Sequence, residues 1–273
     1  GEFKEFVDEW GITHRLVSGY YDLHGAPLGK DLSIEKIEKY PWPNPYDPVR
    51  LEGLKEEVEH LYHNTNYAIV AHRPVYGNLW EMTRALVGME NALLLTVMDT
   101  HILDHLLGKL AEVLDGFYDA FLSVVGPYVQ IVEMADDYGT NAGPMFNPAV
   151  YTKFFKPRYK KSIEMIKKKA PNAKVLLHND GAIRKFIPDL IETGFDILNP
   201  IEGHLRGGIP VSDVDALERY WTVCPQLRQS LFKQNRPGYV DLTIEKSAIK
   251  SSIYEHPEFA MFIQGMNEHF ASW

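Results

Sequence analysis

The stretch that decides the fold runs from residue 173 to residue 202 and reads AKVLLHNDGAIRKFIPDLIETGFDILNPIE. It contains two apolar runs, at 175–177 and 195–198, and each run ends in a polar segment. Between them lies an amphipathic stretch with apolar residues at helical spacing: Ile183, Phe186, Ile187, Leu190 and Ile191. The first run is continuously apolar and the second is interrupted only by Asp196, so neither alternates; this is typical of parallel strands buried on both faces. The stretch therefore predicts strand, helix and strand, with polar side chains where the strands end.

The same alternation extends over the centre of the chain. Apolar runs predict four strands, at 67–71, 128–134, 173–178 and 195–199. Helical periodicity is found at 51–63, 78–86, 90–97 and 99–125, and again after Asn147-Pro148, where Pro157 is expected to break or kink the helix before it continues to Lys169. The alternation indicates an α/β fold. The pattern alone leaves both a closed barrel and an open doubly wound sheet open.

The two ends of the chain carry weaker patterns. Residues 1–50 show little regular pattern, apart from a short helix that Ser33 could start and that the following prolines end. After Glu202 the patterns indicate only weak strands at 220–223 and 239–244 and an interrupted helical end. We therefore interpret residues 1–273 as one domain with an irregular amino-terminal segment, 1–50, and a poorly matched end, 203–273.

Composition narrows the class of protein. The net charge of −9 over 273 residues argues against a nucleic-acid-binding or anionic-membrane-binding surface. Cys224 is the sole cysteine, so no internal disulfide can form, which fits a reducing compartment. No apolar stretch is long enough to span a membrane, and the amino terminus does not resemble a signal peptide. We expect a cytoplasmic protein that acts on a small-molecule substrate.

Polar residues cluster where three successive predicted strands end. They are Glu133, Asp136 and Asp137 after the first strand, His178 and Asp180 after the second, and Asn199 and Glu202 after the third. In a parallel sheet these ends lie side by side, about 5 Å apart per strand. A histidine among carboxylates can bind a divalent metal or act in acid–base catalysis. The alternative interpretation is structural, because Asp180 could cap the following helix and residues 137–139 could form an ordinary turn.

Several common catalytic motifs are missing from the sequence. It contains no G-x-G-x-x-G after a strand and no G-x-x-x-x-G-K-[ST], so no nicotinamide, flavin or P-loop nucleotide site is expected. It also lacks G-x-S-x-G, which disfavours a serine hydrolase of the α/β type.

Residues 136–202 resemble the uroporphyrinogen decarboxylase superfamily. The resemblance rests on four motifs in the expected order: Asp-Asp-x-Gly-Thr, Asn-Pro-x-x-Tyr, His-x-x-Gly and Gly-x-Asp-x-x-Asn-Pro. Residues 8–98 are similar to the branch that holds the cobamide-dependent methyltransferases, through Glu9-Trp10-Gly11, the segment 40–43 and the segment 77–90. The resemblance implies a (β/α)8 TIM barrel with its site at the carboxyl ends of the strands. The family's closing strands are not recognisable after residue 203, so the barrel is expected to be incomplete or divergent at the chain ends.

The resemblance also implies a set of functional residues. The catalytic candidates are His178, Asp180 and Asp137, and the substrate-binding candidates are Asn199, Glu202, Asn141 and Tyr138. In the zinc methyltransferases of this branch, the metal is held by a His-x-Cys pair and a later cysteine. Here Asp180 occupies the position of the first of those cysteines. The expected metal site therefore uses oxygen and nitrogen ligands, His178, Asp180 and Glu133, with Asp136 as the alternative to Glu133.

Three functions remain open, in order of preference. The first is a methyltransferase-like enzyme that acts with a corrinoid protein, the corrinoid being the methyl carrier, or with a small methyl donor; His178 and Asp180 would bind substrate or a metal, for which zinc is the candidate. The second is a decarboxylase of uroporphyrinogen type, in which Arg73, Arg206 or Arg228 would bind the anionic substrate. The third is a catalytically silent barrel that binds a ligand or a partner. A homo-oligomer is compatible with all three.

Overall fold

The computed structural model describes residues 5–17, 20–29 and 31–200. All of these residues belong to one compact unit. Glu202, Cys224 and every element predicted beyond them lie outside the described residues, as do Arg206 and Arg228. The prediction of a single domain over the whole chain therefore stays a prediction. Within the described part, no helix has both the length and the apolar character needed to cross a lipid bilayer.

The amino-terminal segment is more regular than its sequence indicated. Strands β1 (Glu5–Val7), β2 (Thr13–Val17) and β3 (Tyr20–Gly25) form an antiparallel sheet in that order. Asp8 organises the first turn, because its Oδ1 accepts hydrogen bonds from the backbone N–H groups of Trp10 and Ile12, each at 2.9 Å. The description of residues 1–50 as irregular is corrected here. The strands are short and partly polar, so they lack the apolar runs that identified the other strands.

The next elements agree with the sequence. Helix α1 (Ile34–Lys39) begins after Ser33, whose hydroxyl accepts a hydrogen bond from the backbone N–H of Lys36, and it ends before Pro41. A 3-10 turn (Pro48–Leu51) follows, and then helix α2 (Leu54–Asn64). Both helices lie close to their predicted positions.

A parallel sheet forms the centre of the described chain. After strand β4 (Val70–Ala71) come helices α3 (Leu79–Val87), α4 (Met89–Leu95) and α5 (Thr100–Val125), a 3-10 turn (Gly126–Tyr128) and strand β5 (Ile131–Ala135). Strand β4 is shorter than the predicted strand at 67–71, whereas the three helices lie where their periodicity predicted. In α5 the apolar positions are buried against the rest of the core.

The chain then returns to the sheet twice. Residues 148–169 form helix α6 (Pro148–Val150), a π-helical turn (Tyr151–Phe155) and helix α7 (Lys156–Lys169). The break or kink predicted at Pro157 corresponds to this wider π turn, which ends two residues before the proline, and α7 then continues to Lys169. Strand β6 (Lys174–His178), helix α8 (Ile187–Thr193) and strand β7 (Ile197–Asn199) follow.

The four central strands pair in sequential order, β4-β5-β6-β7, and every pairing is parallel. Helix α8 begins four residues later than the periodicity from Ile183 indicated, because the first apolar positions belong to turns. The order of strands and helices confirms an α/β fold with a parallel sheet. Closure of this sheet into an eight-stranded barrel stays a prediction.

A buried carboxylate joins the sheet to helix α3. Asp136, the residue after β5, is fully buried. Its oxygens accept hydrogen bonds from the backbone N–H groups of Trp80 and Glu81, at 2.8 and 2.7 Å, and from the hydroxyls of Tyr138 and Tyr159, at 3.1 and 2.5 Å. The two N–H groups belong to the first turn of α3, where such groups lack partners within the helix. Asp136 therefore caps α3 from the end of β5, and its alternative role as a metal ligand stays a prediction.

The Asp136→Ala variant is expected to lower the free energy of unfolding by about 3 kcal/mol or more, because it leaves several buried donors without an acceptor. Chemical denaturation measures this difference. Glu112 is a suitable control, because it forms an exposed ion pair with Lys109 at 2.9 Å, and Glu112→Ala should change stability by less than about 0.5 kcal/mol. Equal, small losses in both variants would refute the capping role.

Candidate functional site

The polar residues after β5, β6 and β7 are held at one edge of the sheet by backbone hydrogen bonds that continue the strand pairing. The N–H of Asp136 donates to the carbonyl of His178 at 3.0 Å, and the N–H of Asn179 donates to the carbonyl of Asn199 at 2.7 Å. On the other side, the N–H of Asn78 donates to the carbonyl of Ala135 at 2.8 Å. The three strand ends therefore lie together, as the sequence predicted, and the start of α3 lies beside them.

Three of the predicted residues come together there. Asp137, His178 and Asp180, called the Asp–His–Asp trio below, each offer one ligand atom, and these atoms lie within 4.8 Å of one another. All three residues are half-buried. Nε2 of His178 lies 3.7 Å from Oδ1 of Asp180, and Oδ1 of Asp137 accepts a hydrogen bond from the backbone N–H of Asp180 at 2.8 Å.

The second nitrogen of His178 faces a different partner. Nδ1 lies 3.0 Å from Oδ1 of Asn199, the residue opposite His178 in the β6–β7 pairing. A neutral imidazole whose Nδ1–H donates to this oxygen leaves a lone pair on Nε2. That nitrogen is the one on the side of Asp180.

Two glycines bring the carboxylate loops into contact. A Cβ on Gly181 would lie 2.5 Å from the carbonyl carbon of Gly139, and a Cβ on Gly139 would lie 2.6 Å from that of Gly181. Gly181 also has a φ of +90°, in the left-handed region that favours glycine. The N–H of Ala182 donates to the carbonyl of Thr140 at 2.9 Å across the same contact. The glycines of the two motifs thus allow the backbone approach that places Asp137 beside Asp180.

The other predicted residues occupy different surroundings. Glu133 pairs with Arg73 at 2.8 Å and lies 3.3 Å from His72, so it is not part of the trio. Tyr138 is fully buried, and its hydroxyl donates to Asp136. Asn141 is exposed in the loop after β5. Their predicted roles, and that of Glu202, stay predictions.

Glu81 is a neighbour of the site that the sequence analysis missed. Its side chain is buried, and Oε1 accepts a hydrogen bond from Nη2 of Arg84 at 2.7 Å. Burial, together with the negative charges of Asp136 and Asp137, raises the pKa of Glu81 to about 8. An acidic residue in the first turn of a helix is ordinary, so no local pattern indicated that this one lies beside the site.

The geometry of the trio suits a divalent metal ion. Zinc binds histidine nitrogen at about 2.0–2.1 Å and carboxylate oxygen at about 2.0–2.2 Å, so two ligand atoms on one tetrahedral ion lie about 3.3–3.6 Å apart. The ligand atoms of the trio lie within 4.8 Å of one another, so side-chain rotations that bring them closer by up to about 1.5 Å would meet that spacing. One imidazole and two carboxylates also match the preferences of zinc and of harder divalent ions.

Comparisons with known proteins agree with this architecture. The model of the family described as Uroporphyrinogen decarboxylase (URO-D) matches residues 26–201, which is more than half of the chain. A methyltransferase from Methanosarcina mazei has a similar structure, with a TM-score of 0.53 and 19% sequence identity over 69% of this chain and 52% of that chain. At this identity the likeness shows the fold alone, and the present chain spans about half the length of that protein. No curated protein matches the chain.

The fold and the strand-end site define an α/β protein with polar groups at the carboxyl edge of a parallel sheet. The match over residues 26–201 shows that the chain belongs to the uroporphyrinogen decarboxylase family. The resemblance to this family inferred from the four motifs is therefore confirmed.

The Gly181→Ala variant is expected to lower the free energy of unfolding by roughly 2–5 kcal/mol, because it combines a backbone clash with an unfavourable φ. Gly53 offers a matched control: its φ is +74°, but nothing lies within 4 Å of its would-be Cβ. Gly53→Ala should therefore cost only about 1–2 kcal/mol. Denaturation midpoints that fall equally in both variants would refute the close contact between the two loops.

Glu81 should make stability depend on pH. Its pKa is raised from 4.5 to about 8 in the folded chain, so the folded state binds more protons than the unfolded state between these values. Stability contributed by this group is therefore present below pH 4.5 and is lost as pH rises toward 8. Replacing Glu81 with Gln should flatten the fall in unfolding free energy over roughly pH 5.5 to 7.5, by up to about 1.4 kcal/mol per pH unit.

Denaturation at several pH values measures this slope. Glu112→Gln, on an exposed ion pair, is the control and should keep the wild-type slope. A Glu81→Gln variant with an unchanged slope would show that the carboxyl of Glu81 ionises as it does in the unfolded chain.

Proposed function

We propose that this chain is a methyltransferase-like member of the uroporphyrinogen decarboxylase family. In this proposal the Asp–His–Asp trio holds a divalent metal ion, with zinc as the first candidate, and a corrinoid carries the methyl group. The observation that carries the proposal is the convergence of Asp137, His178 and Asp180 within 4.8 Å. The structural likeness to a methyltransferase supports the choice of branch.

The three residues of the trio would make different contributions to binding the metal ion. The two carboxylates supply negative charge to a cation, and His178 supplies a neutral nitrogen ligand. When bound, a divalent ion would act as a Lewis acid toward a heteroatom of the substrate. Asp180 would take the place of the sulfur ligand found in related zinc sites, so the ion would keep more of its positive charge for the substrate. Asn141 and Glu202 remain the proposed contacts to substrate outside the trio.

The charge around the trio disfavours the decarboxylase alternative. Uroporphyrinogen carries many carboxylates, and its binding requires unpaired cations. Among the described residues near the trio, Glu81 and Glu133 add further carboxyl groups, and Arg84 and Arg73 are already paired with them, at 2.7 and 2.8 Å. The unpaired negative charge left at this edge belongs to the carboxylates of the trio, which suit a cation better than a polyanion.

The partner follows from the same proposal. A corrinoid protein is the proposed partner, because the methyl carrier must reach the carboxyl edge of the sheet. A cytoplasmic location and a homo-oligomeric state stay predictions from the sequence.

Metal binding is the first test. After reconstitution with zinc, plasma mass spectrometry should find about one zinc per wild-type chain. His178→Ala and Asp137→Asn should lose the metal, because each removes one ligand of the trio. Glu133→Gln should retain it, because Glu133 pairs with Arg73 instead. Retention in Asp137→Asn with loss in Glu133→Gln would instead support the ligand set predicted from the sequence.

Methyl transfer is the second part of the same test. The zinc-loaded chain should methylate free cob(I)alamin from a methoxylated aromatic, a methylamine or methanol, followed by absorbance, and His178→Ala should be slower by about 100-fold or more. Absence of zinc combined with decarboxylation of uroporphyrinogen would favour the decarboxylase. Absence of both metal and activity would favour the silent barrel.

A further inference from the structure

We propose that Asn199 is a positioning residue, which holds the imidazole of His178 in the tautomer that carries its proton on Nδ1. The inference rests on the proposed role of His178 as a metal ligand. Its central test, however, uses the metal-free chain, so its failure can be told apart from failure of the proposed function.

The strand pairing fixes the two residues relative to each other. His178 and Asn199 are directly opposite in the parallel pairing of β6 and β7, so their side chains leave the same face of the sheet. The backbone of Asn199 is held in addition, because its carbonyl accepts a hydrogen bond from the N–H of Asn179 at 2.7 Å. Oδ1 of Asn199 therefore stays within reach of Nδ1 of His178, at 3.0 Å.

Two hydrogen-bond acceptors compete for the single proton of the neutral imidazole. Asp180 offers a carboxylate oxygen to Nε2 at 3.7 Å, which is beyond hydrogen-bond distance. Asn199 offers its amide oxygen to Nδ1 at 3.0 Å, which is an ordinary hydrogen-bond length. The amide oxygen of Asn199 is uncharged, but it is the nearer acceptor and therefore holds the proton on Nδ1. The lone pair of Nε2 is left for a metal beside Asp180.

This arrangement gives Asn199 a different role from the substrate contact that the sequence predicted. Histidines that bind metals commonly donate their second ring N–H to a carboxylate, a carbonyl or water, and removal of that acceptor typically lowers metal affinity or activity by about 10–100-fold. The amide oxygen of Asn199 is an acceptor of this kind. It acts through His178 and is not itself a ligand.

Nitrogen-15 NMR of the metal-free chain tests the tautomer directly. The measurement is made at about pH 8, where a free imidazole is neutral, and the signal of His178 is identified by its loss in His178→Gln. We expect the proton on Nδ1 in the wild type and a mixture or reversal of tautomers in Asn199→Ala. Asn199→Asp, which keeps an acceptor oxygen, should restore the Nδ1–H tautomer.

The chain offers a matched control elsewhere. Asn64 lies 3.3 Å from Nδ1 of His60 on helix α2, away from the trio. Asn64→Ala removes an asparagine–histidine contact in which the amide Nδ2, and not the amide oxygen, faces the ring nitrogen, and it should leave the tautomer of His178 unchanged. An unchanged Nδ1–H tautomer of His178 in Asn199→Ala would overturn the proposal.

Zinc affinity gives the second readout. Competition against a chelator should show about 10-fold or greater weakening in Asn199→Ala, with affinity regained in Asn199→Asp and unchanged in Asn64→Ala. Equal zinc affinity in Asn199→Ala and the wild type would also overturn the positioning role. If the wild type binds no zinc at all, the proposed function fails, and the tautomer measurement alone decides the role of Asn199.

Discussion

The carboxylate of Asp136 is the interaction on which the rest of the described structure depends. It lies at the end of β5, caps the first turn of α3 and accepts hydrogen bonds from two buried tyrosines. Burial raises its pKa to about 6, even though its four donors act in the opposite direction. The tyrosine rings belong to or adjoin a buried aromatic cluster formed by Trp80, Tyr138, Phe146, Tyr151, Phe155 and Phe186. One charged group thus joins a strand, a helix and the aromatic core.

Asp136 and its neighbour Asp137 lie on opposite sides of the chain, so the two carboxylates have different surroundings. Adjacent residues in an extended segment point to opposite sides, so Asp136 faces the core while Asp137 lies beside His178 and Asp180. The contact between Gly139 and Gly181 then brings the two loops close enough for Asp137 to accept a hydrogen bond from the backbone of Asp180. The candidate site is therefore assembled by backbone contacts between the strand ends and loops, together with the hydrogen bond that the carboxylate of Asp137 accepts.

Particular elements show how far the sequence could predict this fold. The apolar runs at 175–177 and 195–198 correctly indicated parallel strands, and the periodicity of residues 99–125 located α5, because burial on fixed faces imposes a repeat on the sequence. The antiparallel sheet of residues 5–25 was missed, since its short strands include Thr13, His14 and Arg15 and show no apolar run. Helix α8 was predicted to begin too early, since apolar residues in turns fit the helical spacing by chance.

For the site, the sequence by itself determined which polar residues follow each strand, because the end of an apolar run marks the edge of the sheet. It also determined the family, through motifs whose order and spacing are local properties of the chain. Only the tertiary structure decided that Asp137 joins His178 and Asp180 while Glu133 pairs with Arg73. It likewise revealed Glu81 beside the site and Asn199 opposite His178. These choices depend on distances between residues tens of positions apart, which the strand register and the loop packing fix and which no local pattern records.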